Sequence, residues 1–333
     1  MKIKKLSYCL LGTLSFLLSF SSCEKVIDFE VGEVSPYVVL VSRPECDSLV
    51  NVYLSHSSFF LEDYNVNREI PDATVKLYVG DAVYNGTYFQ PITTEYSYYP
   101  VQGYYQFNVR PQPGDSLYVE ATIPGFDGTV SAGTRIPSMP NVELVDYVLE
   151  RDQYTESTLY KLRFKIKGGV DKEYYSVSLS YCYQMAEIDS NTRYWDTVNA
   201  FFDGLFFTSD DAIVNNTDIG TVIDGDDGSF AGYDMNFTNE MFKDNEHIFT
   251  IEFSEYSYGY TTLELAEMPV WLNVKSFSPD LYKYEQTIEA QNNSDDFFSE
   301  PVQVLCNING GIGVFGGLSK RMMRLPVATI KSK

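Results

Sequence analysis

The chain has 333 residues, with 46 Asp and Glu against 24 Lys and Arg and a formal net charge of −22. Such an acidic surface repels phosphate backbones and anionic headgroups, which argues against nucleic-acid partners and against membrane attachment through basic patches. Its 5 Cys show no CxxC spacing and it has only 2 His, so no zinc cluster and no cofactor are expected.

Residues 1–23 read MKIKKLSYCLLGTLSFLLSFSSC. Lys2, Lys4 and Lys5 form a basic start, residues 6–20 are apolar apart from small polar breaks, and Ser21 and Ser22 lead into Cys23. That is the layout of a secretory signal, too short and wrongly flanked for a helix that stays across a bilayer. A cysteine after small residues at this point resembles a bacterial lipobox. Residues 1–22 are therefore expected to be removed, and Cys23 to become a lipidated first residue that anchors the protein in a membrane. Residues 23–35 follow as an acidic tether.

From residue 37 the text changes to short β-type runs separated by turn residues. The run 37–42 (YVVLVS) reads as a buried strand, and 49–55 (LVNVYLS) alternates with Val50, Val52 and Leu54 on one side. Residues 57–67 read as a loop carrying Phe59, Phe60 and Tyr64. Segment 73–79 alternates again, and Asp81 with Asn85-Gly86 supplies turn chemistry before a strand at 88–92. Strands at 104–109 and 116–123 finish the set. This spacing predicts an immunoglobulin-like β-sandwich over 36–137. Pro137 and Pro140 mark a stiff connection after it.

Residues 141–333 read as a second β-rich domain, sandwich or barrel-like, with one short packed helix. Strands are predicted at 142–149, 158–167, 174–185, 247–253 and 270–277, with a single helical turn at 238–242. Residues 191–234 are acidic, turn-rich and give no clear element. Ser278, Pro279 and Asp280 form a helix start, with serine as N-cap and proline at the first position. The helix should run to about Gln291 with Leu281, Tyr284 or Glu285, and Ile288 along one stripe. Segments 301–307 and 310–317 close the fold.

Several blocks of this text are similar to one family. The YVVLVS strand soon after Cys23 is followed by VNVYLSHS, IPDATVKLY, GYYQFNV and SAGTRIP. The second half adds NFTNEMFKDNEHIFTIEF, WLNVKSFSPDLYKYEQTI and FFSEPVQVLCNINGGIGVFGG. The chain thus resembles the Bacteroidota outer-membrane lipoproteins grouped as domain of unknown function 4249. The resemblance implies a place beside TonB-dependent outer-membrane receptors, as an accessory in uptake or surface assembly. It implies no catalytic residues.

The glycine block 307–317 (NINGGIGVFGG) lacks the following helix and the anion site of a nucleotide loop. It reads as a structural element around Val314 and Phe315. Asp224, Asp226 and Asp227 offer hard oxygen ligands for calcium, without EF-hand spacing; a solvated acidic loop is the competing reading. His56 sits among serines but adjacent strand residues face opposite ways, so no nucleophile–base pair forms there. Loop aromatics Phe59, Phe60, Tyr64, Tyr98, Tyr99, Phe206 and Phe207 are candidate contact residues for protein or carbohydrate. Together these readings predict a non-enzymatic, surface-exposed lipoprotein of the outer membrane, accessory to a TonB-dependent receptor. The alternatives are an adhesion or assembly lipoprotein and, behind it, a surface hydrolase.

Overall fold

Alternation of apolar and polar residues decides most of the architecture. The computed structural model describes residues 36–58, 68–91, 102–151, 158–188, 195–214, 230–254, 257–258, 261–262, 269–292 and 302–332. The first half holds β1 (Val38–Ser42), β2 (Val50–His56), β3 (Thr74–Val79), β4 (Ala82–Asn85), β5 (Thr87–Phe89), β6 (Tyr104–Phe107), β7 (Ser116–Thr122) and β8 (Thr129–Arg135). One sheet runs β4-β3-β7-β8, and β1-β2-β6-β5 lie side by side in the other. Period-two burial sends Leu40, Val52, Leu77, Phe107 and Val119 inward from both sheets into one core. Each large side chain so buried contributes roughly 1.5–3 kcal/mol. The buried Tyr105 phenol donates to the Ile70 carbonyl and accepts the Ala73 N–H, and burial pushes its pKa up.

The second half begins with β9 (Asn141–Arg151), β10 (Thr158–Lys167), β11 (Tyr174–Ile188), β12 (Trp195–Leu205), β13 (Phe207–Ser209), β14 (Phe230–Gly232) and β15 (Asp234–Thr238). A 3-10 turn, Asn239–Met241, follows Thr238, then β16 (Glu246–Ser254), β17 (Ser257–Tyr258), β18 (Thr261–Thr262) and β19 (Val270–Phe277). Helix α1 (Pro279–Asn292) leads to β20 (Ile312–Phe315), β21 (Leu318–Arg324) and β22 (Thr329–Ser332). Two sheets face each other: β14-β13-β16-β10-β9-β22, and β12-β11-β19-β21 with β15 also paired to β11. Their shared core is aromatic. Phe237 of β15 meets Phe249 of β16 with ring centroids 4.5 Å apart, and Tyr160 stacks on Phe253 at 5.2 Å. No sheet among the described residues closes into a barrel, so the second half is a sandwich.

Strands that went unread in the sequence include β4, β8, β15, β21 and β22. β8 (TVSAGTR) and β21 (LSKRMMR) are poor in large apolar residues, and each is a strand because a neighbour supplies a full antiparallel register. β22 pairs parallel with β9. The turn-rich stretch 191–234 contains β12, β13 and β14. Of the segment 301–307, expected to close the fold, residues 302–307 form no strand.

The C-terminal block returns to the first sandwich. β20 pairs parallel with β1, placing Gly313 opposite Leu40 and Val314 opposite Val41. The Asn307 side chain clamps the end of β20, accepting the Phe315 N–H at 3.0 Å and donating to the Phe315 carbonyl at 2.9 Å. Val314 and Phe315 are buried, as the glycine-rich reading required. Gly313 has φ +116, and a Cβ there would meet the Leu40 carbonyl oxygen. Helix α1 then covers the outer side of this pair through Leu281, Val314 and Leu318. The buried hydroxyls of Ser276 and Ser319 donate to the carbonyls of Ser138 and Pro137, pinning the proline connection. Tyr37–Lys333 accordingly forms one compact unit.

The outer face of β10 shows where basic residues are spent. Lys161 pairs with Glu252 at 2.8 Å and Glu150 at 3.6 Å, Arg163 with Asp146 at 3.0 Å, and Lys165 with Glu143 at 3.1 Å and Glu246 at 3.6 Å. A cationic strand is held between two acidic ones. The Glu252 carboxylate raises the Lys161 pKa, with Glu150 adding to it. Lys161→Ala leaves two acids facing each other and should cost about 0.5–1 kcal/mol in low salt. Because the folded pKa is raised, that contribution is complete below the usual lysine range and is lost as pH rises through the raised folded value. Urea unfolding of both proteins at rising pH, and again in ~1 M salt where the gap should shrink, checks this.

Candidate functional site

A cleft of about 640 Å³ lies between helix α1 and the outer face of the β11-β19-β21 sheet. Its floor follows from strand register. Asn236 of β15 faces Ser176 of β11, Ser176 faces Lys275 of β19, and Lys275 faces Lys320 of β21. These are outward positions of alternating strands, so the row is polar throughout. One row further along, Asn273 is buried and its Nδ2 donates to the Ser180 hydroxyl at 3.0 Å, while its Oδ1 has no partner.

The roof is one helical stripe. Tyr282, Glu285, Gln286, Glu289 and Asn292 recur at helical spacing and all line the cleft. Ser278 begins the helix, with the Leu281 N–H reaching its hydroxyl at 3.5 Å. Tyr282 packs on Tyr174 of β11 at 5.0 Å between ring centroids, which fixes how far the helix stands from the sheet. At one end Arg43 donates to Glu285 at 2.6 Å. On the floor Lys275 reaches Asp234 at 3.8 Å. Packing around the Glu289 carboxyl, and then the charges of Asp234 and Glu285, push its pKa up.

The predicted helix stripe named Leu281, which is fully buried, Tyr284 or Glu285, of which Glu285 lines the cleft, and Ile288, which lines it too. The polar stripe beside it was legible at the same spacing. The Lys275–Lys320 pair was not, because β21 had not been read as a strand.

Of the expected contact residues, Phe206 is 45% exposed and meets Tyr233 edge-on at 5.4 Å. Phe207 is corrected: it is fully buried against Phe230 in the second core. Burial alternates from Leu205 at the end of β12 through to Ser209 of β13, which turns Phe206 and Phe207 to opposite faces. Cys23, Phe59, Phe60, Tyr64, Tyr98, Tyr99, Asp224, Asp226 and Asp227 lie outside the described residues. Cys46, Cys182 and Cys306 are free thiols. His247 Nε2 lies 2.7 Å from Asp211 Oδ2, and its ring packs on Phe242 and Phe249. No helix among the described residues is long and apolar enough to cross a membrane.

The family described as a domain of unknown function, DUF4249, matches residues 24–324. The chain belongs to DUF4249. The match spans both sandwiches, helix α1 and the glycine-rich return through β20. In DUF4249 terms the cleft therefore lies wholly within the family region, whereas residues 1–23 precede it. A comparison with curated proteins gave no match.

Proposed function

We propose that this DUF4249 protein is a lipid-anchored outer-membrane protein of a Bacteroidota cell, non-enzymatic, and accessory to a TonB-dependent receptor in nutrient uptake or surface binding. The observation that carries the reading is the junction at Cys23. A basic, then apolar, then small-residue leader ends at that cysteine, and the family region begins at the next residue. The folded unit starts at Tyr37, and residues 23–35 are assigned as the tether that precedes it. The acidic surface keeps the body off anionic headgroups and leaves the lipid as the attachment. The link to a TonB-dependent barrel rests on the family resemblance.

Detergent extraction of the native envelope, affinity capture of the protein and mass spectrometry of what accompanies it test the reading. A stoichiometric TonB-dependent barrel, and a diacylglyceryl mass on Cys23 that Cys23→Ser abolishes, are expected. Capture of the protein alone after mild crosslinking overturns the receptor link and leaves an adhesion role. An unmodified Cys23 in the processed chain overturns the anchor.

A further inference from the structure

The cleft under helix α1 is furnished for a ligand that carries both signs of charge. Lys275 and Lys320 stand directly opposite each other on β19 and β21 and both line it. Like charges in facing positions cost stability. Among the described residues Lys275 pairs only with Asp234, at 3.8 Å, and Lys320 makes no ion pair. In a chain with 46 acids and 24 bases, this is a deliberate positive spot.

Across the cleft the helix presents Glu285 and Glu289. Arg43 holds Glu285, while Glu289 meets no cation among the described residues. Beside these carboxylates on the same helical stripe is Gln286, which is only 7% exposed and lines the cleft, so its amide can pair with what enters.

We propose that the cleft binds short peptides with free termini. The peptide carboxylate sits between Lys275 and Lys320, its ammonium faces Glu289, and its backbone amides pair with Gln286. A cavity of about 640 Å³ lies within the range of roughly 300–1,000 Å³ usual for small-ligand sites. A polyanion meets Glu289, Glu285 and Asp234, and a polycation meets the lysine pair, so each is repelled by half of the lining. A neutral sugar leaves both charged walls unanswered. This assignment goes beyond the envelope reading and stands without it.

The test is equilibrium retention of a random tripeptide mixture on the immobilised full chain from Cys23 onward, read by mass spectrometry. The same mixture is run after N-acetylation, after C-amidation, and beside a neutral trisaccharide. Free tripeptides should be retained, each blocked mixture at least tenfold more weakly, and the trisaccharide not at all. Lys320→Ala and Glu289→Gln should each weaken retention at least tenfold without lowering the thermal midpoint, because each removes a like-charge contact. No retention at millimolar peptide overturns the proposal. So does equal retention of blocked peptides, or unchanged binding in both variants. Peptide retention with no barrel in the envelope capture would sink the receptor link and leave the peptide site standing.

Discussion

Gly313→Ala should cost about 4 kcal/mol or more and leave a protein without a cooperative first sandwich, as read by urea unfolding and near-ultraviolet circular dichroism. The backbone at Gly313 has φ +116, and its new Cβ would meet the Leu40 carbonyl oxygen, which is itself part of the β1–β20 ladder. Neither side can give way, since Leu40 is fully buried and Phe315 two residues on is too. Strain at a restricted φ adds about 1–3 kcal/mol, and breaking the strand pairing supplies the rest. Gly80→Ala is the matched control. Gly80 also has a positive φ, of 56°, but a Cβ there meets nothing within 4 Å. Its cost should stay near 1–2 kcal/mol, the conformational penalty alone. If the two substitutions cost the same, close packing around the glycine block is not what holds β20 in place.

Phe237→Ala should destabilise by about 3–5 kcal/mol, the usual range for removing a fully buried ring. Phe237 is completely buried and touches rings from elements on both sides of the second core: Phe249 at 4.5 Å, Tyr175 at 5.6 Å and Phe242 at 6.3 Å. Tyr175 and Phe249 are themselves pinned in β11 and β16, which limits collapse of the void. Equilibrium urea unfolding followed by tyrosine fluorescence measures it. Phe206→Ala, at an exposed site, should cost less than about 1 kcal/mol. The position of the transition also matters. Serine hydroxyls from β19 and β21 hold the proline connection, and β20 completes the first sandwich. Phe237→Ala should therefore lower the midpoint of one shared transition. Two separated transitions would mean that the stitching is energetically weak.

What was legible in the sequence follows from what kind of contact made each element. β2, β7, β10 and β11 bury alternate residues, so their pattern is written locally. Helix α1 was legible from Ser278-Pro279-Asp280, where cap chemistry acts within one turn. β8 and β21 were illegible because their own residues are small or polar and their strand form is imposed by neighbours distant in the chain. The cleft shares that fate. Ser176, Lys275 and Lys320 are far apart in sequence and become a row only through β11-β19-β21 pairing. Phe206 and Phe207 show the same limit at one residue's resolution: composition marked both as contact residues, and strand phase separated them.

The return of β20 to β1 has a consequence in time. A chain made or threaded from its N-terminus exposes β1 early, yet one flank of β1 stays open until residue 315 has emerged. The pairing closes a loop of nearly the whole polypeptide, which is slow in any folding reaction. Until then the strand edge is a hazard for association with other chains.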